Sequence, residues 1–300
     1  MKKLELKAYA KINTALDVLG TKPGGYHEIS TVMQQIGLYD KVGVRWMPGT
    51  GAGILIEINS NKKYLPTGKK NIVYKASELM TGTYDIKGRF GAGKVRIDIK
   101  KQIPVSAGLG GGSTDCAAVL CALSDIWELR LSIDELCALG AKLGSDVPFC
   151  VLGQFGVRCA LAGGTGTEIT PASGIKCHIV LSRPPVRVST ADVYAGFDSL
   201  DPDSLKRPDI TALLAAIKES DLKAAKKNMI NVLENYTASV YPGVMETKER
   251  MLRAPGAFKV LMSGSGPTIV GFYEDKESAE AAYREMADFN KETYLTTTLV

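Results

Sequence analysis

The chain opens on an alternation. Leu4, Leu6, Ala8, Ala10 and Ile12 fall on one side of an extended segment, and Glu5, Lys7, Tyr9, Lys11 and Asn13 on the other. That two-residue period is the mark of a strand with one apolar face, and it puts Lys11 and Asn13 together on the opposite side. Further strands are predicted over 29–36, 42–46, 54–58 and 95–99. The last sets Val95, Ile97 and Ile99 against Arg96, Asp98 and Lys100. A helix is predicted over 71–80. A run of glycines, Gly108–Gly112, then leads through Ser113, Thr114 and Asp115 into an Ala/Leu-rich helix ending near Trp127. The next helix starts at a capping box, Ser132-x-x-Glu135, and Gly144 is its predicted C-cap. The stretch 153–174, rich in Gly, Thr and Ser, reads as a loop carrying the passage between two domains, 1–160 and 161–300. Beyond it the pattern predicts a strand over 178–181 and helices over 210–218, 222–233 and 244–252. A strand (259–262), a loop (263–267), a strand (268–273), a helix (276–289) and a last strand (294–299) follow. Both halves mix helices and strands, an α+β arrangement.

Composition narrows the chemistry. A length of 300 residues fits two domains better than one. Two histidines, His27 and His178, rule out a histidine-built zinc centre, and the six cysteines show no C-x-x-C spacing. The cysteines read as reduced thiols that serve as small core residues. No apolar run nears the roughly 20 residues of a membrane helix. The basic start lacks the apolar region of a secretory signal, so a cytoplasmic protein is expected. The net charge of +5 is mild and forms no basic patch interleaved with aromatics. Small anionic ligands are therefore expected, rather than nucleic acid or membrane.

The strongest chemical signal is Pro104-Val105-Ser106-Ala107-Gly108-Leu109-Gly110-Gly111-Gly112-Ser113-Thr114. Glycines let a backbone approach a ligand closely and take positive φ. Here they feed a helix N-terminus, whose free N–H groups and dipole favour an anion. Ser113 and Thr114 add hydroxyls for phosphate or a metal ion, or one of them caps the helix. A dinucleotide fingerprint starting at Gly108 would need glycine at Ser113, and no lysine follows the glycines as a P-loop requires. A hydrolase elbow fails at Asp115. A second glycine-rich loop, Met262-Ser263-Gly264-Ser265-Gly266-Pro267-Thr268, lies between two predicted strands. Between the two loops in sequence, Asp146 sits in Gly144-Ser145-Asp146-Val147-Pro148-Phe149. It reads either as a helix cap or as a carboxylate that holds Mg²⁺ or accepts a hydroxyl proton beside bound phosphate.

Residues 104–114, 144–149 and 261–268 together resemble the motifs of the GHMP kinases. Ala10-Lys11-Ile12-Asn13 and Gly24-Gly25-Tyr26-His27 resemble the branch that phosphorylates 4-diphosphocytidyl-2-C-methyl-D-erythritol. The resemblance spans essentially the whole chain. It implies an N-terminal α/β domain like domain 2 of ribosomal protein S5, with a left-handed crossover, and a C-terminal ferredoxin-like α+β domain, the active site lying in the cleft between them. It implies Mg²⁺-dependent transfer of the ATP γ-phosphoryl to a substrate 2-hydroxyl by a monomer or weak homodimer. Asp146 is then the carboxylate that orients or deprotonates the hydroxyl, and Lys11 is its cationic partner. The loop 104–114 binds ATP. Asn13, Tyr26, His27, Thr190, Tyr194, Gly264 and Ser265 meet the other substrate, with Tyr26 stacking on cytosine and His27 reading its edge. Ser113 is the candidate metal contact. Two alternatives stay open: a mevalonate- or homoserine-type kinase, whose substrate carries no base for Tyr26, and a silent nucleotide-binding member. The second would be marked by loss of Lys11 or Asp146, and both are present.

Overall fold

A computed structural model of the chain describes residues 2–22 and 24–300. Its contacts divide the chain into two compact units with interleaved segments. The first is 1–10, 38–105 and 110–157; the second is 11–37, 106–109 and 158–300. Two long paired strands, β1 (Lys2–Thr21) and β2 (His27–Pro48), run through both. Two predicted strands, 29–36 and 42–46, are thus one. The polar residues between them do not break the strand, because β2 finds different partners along its length.

In the first unit, β3 (Ile54–Ser60) is followed by α1 (Ile72–Thr83), α2 (Ile86–Phe90) and β4 (Gly93–Lys100). β4 pairs in parallel with β3 and antiparallel with residues 41–48 of β2. Parallel neighbours need a crossover, and α1 and α2 supply it. Then come α3 (Gly111–Ile126), α4 (Ile133–Ala141) and α5 (Val147–Gln154). Every residue from Thr114 to Ser124 in α3 is buried. A helix apolar on nearly all sides belongs at the centre of its unit, and α3 packs against both α1 and α5. The capping box at Ser132 and Glu135 forms as predicted. The C-cap differs: it is Lys142, and Gly144 lies two residues beyond, its N–H donating to the Gly140 carbonyl.

In the second unit, residues 31–34 of β2 pair antiparallel with β5 (Cys159–Gly163), which pairs with β6 (Glu168–Pro171). Both strands lie in the stretch expected to be a loop. β6 is mostly exposed, so it carries no apolar alternation to read. The turn between them uses positive φ at Gly164 and Gly166. The chain continues through β7 (His178–Arg183), α6 (Thr190–Phe197), a short turn at Pro202–Ser204, α7 (Ile210–Lys218), α8 (Leu222–Asn228), α9 (Glu234–Val240), α10 (Pro242–Arg253), β8 (Ala257–Met262), β9 (Ile269–Tyr273), α11 (Lys276–Phe289) and β10 (Glu292–Thr297). The sheet order β10-β7-β9-β8 is antiparallel throughout. Numbered within this sheet the order is 4-1-3-2, the ferredoxin-like arrangement. Val180, Val244, Met251, Met262, Ile269, Ala282 and Met286 form part of its core.

The predicted helix 222–233 ends at Asn228. Beyond it the chain is extended, and Leu16 of β1 pairs with it: the Leu16 N–H donates to the Ile230 carbonyl and the Val232 N–H to the Leu16 carbonyl. Pairing with a strand distant in sequence overrides local helix propensity. All six cysteines are free; five are buried and Cys137 is half-buried. Among the described residues no helix is long and apolar enough to cross a membrane.

Candidate active site

Lys11 lies on β1, and in the second unit it is buried rather than solvated, at 4% exposure. Its Nζ donates to Asn13 Oδ1 at 2.8 Å. Asn13 Nδ2 donates to Thr31 Oγ1 at 2.7 Å, and Thr31 Oγ1 donates to the Ala15 carbonyl at 2.6 Å. The alternation that put Lys11 and Asn13 on one side of the strand is thus confirmed by direct contact. The chain has one direction: a cation at its head and a backbone acceptor at its foot. With both ends of its amide engaged, Asn13 is held in one orientation. The backbone N–H of Lys11 donates to the Leu109 carbonyl at 3.0 Å, so the residue also holds the first glycine-rich loop.

That loop meets the second one at Gly108. A side chain on Gly108 would overlap the Ser263 carbonyl oxygen and come within 3.0 Å of that of Gly266, and its φ is +75°. Ser263 Oγ donates to the Gly108 carbonyl at 3.0 Å. A side chain on Gly264 would reach 3.4 Å from the Gly108 carbonyl and 3.5 Å from Asn13 Oδ1. Lys11, Asn13, Gly108, Leu109 and Gly264 are therefore one packed group. Ser106, exposed, holds φ +55° without being glycine, a strained conformation that concentrates at functional sites.

A second group in this unit involves α6, which the chemical pattern did not predict. Ser189 caps it, accepting from the Asp192 N–H. The Tyr194 ring lies against the His27 ring, with centroids 4.7 Å apart and planes 33° apart. His27 Nε2 is 2.8 Å from Asp198 Oδ1. A carboxylate at Nε2 fixes the orientation of the ring. Tyr26, next in sequence to His27, is 70% exposed. Thr190 Oγ1 and Ser265 Oγ are 2.9 Å apart, which joins α6 to the second glycine-rich loop.

In the first unit, Gly110 is the N-cap of α3, in the left-handed conformation, and the helix starts at Gly111. This corrects the expected capping role of Ser113 or Thr114, which lie inside the first turn. Glycine takes the cap because φ is +67° there. Pro104 and Val105 lead into this helix, and Gly111, Gly112 and Ser113 form its open N-terminus. The Thr114 hydroxyl is buried without a hydrogen-bond partner. Asp146 is the N-cap residue of α5, yet its side chain makes no capping bond. The capping reading fails for Asp146.

Beneath this helix start lies a buried triad that the sequence did not reveal. Lys101 Nζ bonds Asp115 Oδ2 at 2.8 Å and pairs with Asp40 Oδ2. Asp40 Oδ1 also accepts from the N–H groups of Gln102 and Ile103, and Asp115 Oδ1 has no partner. Burial pushes the Asp115 carboxyl well above the usual carboxylate range. Lys101 counteracts this and Asp40 reinforces it. One proton on Asp115 makes the triad neutral, the inexpensive state for buried charges. A side chain on Gly111 would lie 3.2 Å from Lys101 Nζ, so the triad abuts the start of α3.

Comparison with known proteins places this geometry. Residues 71–154 match the model of the GHMP kinases N terminal domain, and 213–292 that of the GHMP kinases C terminal domain. A 4-diphosphocytidyl-2-C-methyl-D-erythritol kinase of Clostridium novyi is 42% identical over 295 residues, 98% of this chain and 99% of that one. A protein of the same name from Geobacillus thermodenitrificans is 42% identical over 96% of this chain and 94% of its own. The crystal structure of a 4-(cytidine 5'-diphospho)-2C-methyl-D-erythritol kinase superposes with a TM-score of 0.79 at 31% identity, over 98% of this chain and 99% of that one.

Two outcomes are expected. Gly108→Ala combines a disfavoured φ with backbone overlap, so it lowers turnover by at least about tenfold while circular dichroism still reports a folded protein. The Asp115 carboxyl keeps its proton in the folded state to higher pH than in the unfolded chain. Its contribution to stability therefore falls as pH rises above the ordinary aspartate value of 3.8 towards the raised one. Asp115→Asn, always neutral, gains stability relative to the parent between pH 5 and pH 8 in urea denaturation; an unchanged difference refutes the neutral triad.

Proposed function

The chain belongs to the 4-diphosphocytidyl-2-C-methyl-D-erythritol kinase family of the GHMP kinases, and from that premise we propose that it transfers the γ-phosphoryl of ATP to the 2-hydroxyl of 4-diphosphocytidyl-2-C-methyl-D-erythritol. The product is the 2-phosphate and ADP, a step of isoprenoid precursor synthesis. The observation that carries the substrate is the aromatic pair His27–Tyr194 beside the exposed Tyr26. Flat rings suit a pyrimidine, and a mevalonate or homoserine offers nothing to stack on them.

The roles follow from the chemistry of phosphoryl transfer, which needs positioning and charge neutralisation rather than a covalent nucleophile. The N–H groups at the open start of α3, with the loop 104–114, hold the ATP phosphates. Asp146 accepts the hydrogen bond of the acceptor hydroxyl and takes its proton as the oxygen attacks phosphorus. Lys11, fixed by Asn13, supplies a compact positive charge for the developing negative charge. Tyr26 stacks on cytosine, His27 reads its edge in the orientation set by Asp198, and Tyr194 and Thr190 line the same pocket. Gly264 and Ser265 approach the substrate through backbone and hydroxyl.

Magnesium suits this arrangement as an ion held mostly by the nucleotide. The described residues include no group of three or more His, Cys, Asp or Glu that could hold a metal. The Ser113 hydroxyl would contribute beside phosphate oxygens and water, the usual coordination of this cation, which neutralises phosphate charge. We assign nucleotide binding to 1–160 and the GHMP C-terminal role to 161–300. We place the protein in the cytoplasm as a monomer or weak homodimer with small-molecule partners only.

The test is ATP-dependent phosphorylation of 4-diphosphocytidyl-2-C-methyl-D-erythritol measured beside mevalonate and homoserine. Turnover of the cytidyl compound is expected; turnover of mevalonate alone overturns the substrate and leaves the kinase class. Asp146→Ala lowers kcat by about two orders of magnitude or more with ATP binding retained, and near-parental turnover removes Asp146 from the reaction. Tyr26→Ala raises KM for the cytidyl substrate with little change in KM for ATP; an unchanged KM takes Tyr26 out of the pocket.

A further inference from the structure

The second glycine-rich loop, 263–267, contains two glycines at positive φ, Gly264 and Gly266. Its internal backbone bonds are few: the Ser263 N–H donates to the Thr268 carbonyl and the Gly266 N–H to that of Ser263. Such a segment has little intrinsic rigidity, yet it must meet Gly108 without error. Beside the contacts of Ser263 with Gly108 and of Ser265 with Thr190, it is held at its base by a pair of side chains three residues apart, Asn231 and Glu234.

Asn231 is buried at 4% exposure. Its Nδ2 donates to the Met262 carbonyl at 2.8 Å and to the Gly264 carbonyl at 2.7 Å, and its Oδ1 accepts from the Leu233 N–H at 3.1 Å. Both amide hydrogens thus go to the backbone on either side of Ser263. Glu234 Oε2 accepts from the Met262 N–H at 2.6 Å, while Glu234 Oε1 pairs with Lys248. The backbone around Asn231 is itself tied to β1 through Leu16, which lies on the strand carrying Lys11 and Asn13. One residue therefore joins that strand to the loop facing Gly108.

We propose that Asn231, backed by Glu234, is a positioning residue for phosphoryl transfer. It fixes the second glycine-rich loop against the strand that carries Lys11 and Asn13, and neither side chain is needed to touch a substrate. The inference rests on the kinase reading above. A spacer that merely packed would not need two donors aimed at two carbonyls of one loop. Asparagine suits the place because a single amide supplies both donors and an acceptor. Aspartate has nearly the same shape but would set an oxygen against two carbonyl oxygens, leaving both unpaired.

The test uses the full chain with Asn231→Asp, and with Asn231→Ser as a smaller change that keeps one donor if the aspartate does not fold. Hydrogen exchange, melting temperature, kcat and both KM values are measured well below the melting transition. For Asn231→Asp, exchange at the Ser263 and Gly266 amides accelerates about tenfold or more and kcat falls by a similar factor, while the amides of α11 exchange as in the parent. Asn231→Ser falls between the two. Parental kcat with parental loop exchange overturns the proposal. So does acceleration spread evenly over the unit, with activity restored on cooling, because that is a stability effect alone. If the parent does not act on the cytidyl substrate, the functional reading fails by itself. The exchange pattern still decides whether Asn231 holds the loop.

Discussion

The constraint on which the second unit's loops depend is the approach of two backbones at Gly108. The Ser263 carbonyl occupies the space that any β-carbon on Gly108 would need, so the two glycine-rich loops can meet only where side chains are missing. Phosphate recognition through N–H groups demands the same thing, since a backbone can donate to a phosphate only if no side chain holds the phosphate away. Much else in the second unit serves this contact. Lys11 bonds Leu109 beside it, Ser263 bonds back to the Gly108 carbonyl, and Asn231 holds the carbonyls on both sides of Ser263.

Two buried lysines, Lys11 and Lys101, sit in different surroundings. Lys101 lies between two carboxylates, and burial pushes the Asp115 carboxyl above its usual range. It lies beside the start of α3. Lys11 donates to the amide oxygen of Asn13, which orients the ammonium.

Much of the site was legible along the chain because its signals are local. Glycines crowded before a helix, a strand alternation that put Lys11 and Asn13 on one side, and a Gly-Gly-Tyr-His turn are each contained in a dozen residues. The supporting residues were not legible. Thr31, Asp198, Asn231 and the Asp40–Lys101–Asp115 triad are ordinary polar residues in sequence, and they matter only for partners far along the chain. The strands β5 and β6 were missed for a related reason: a half-exposed hairpin rich in Gly and Thr has no apolar period.

The sequence by itself determined the fold class, the two glycine-rich loops and the family, because hydrophobic period and backbone freedom are properties of neighbouring residues. Only the tertiary structure decided which residues hold those loops in place. It made Gly110 rather than Ser113 or Thr114 the cap of α3, and it denied Asp146 a capping bond. It ended α8 at Asn228 so that Asn231 could reach Met262 and Gly264. Such choices turn on which donor and acceptor come within about 3 Å in the folded chain, and sequence separation carries no record of that distance.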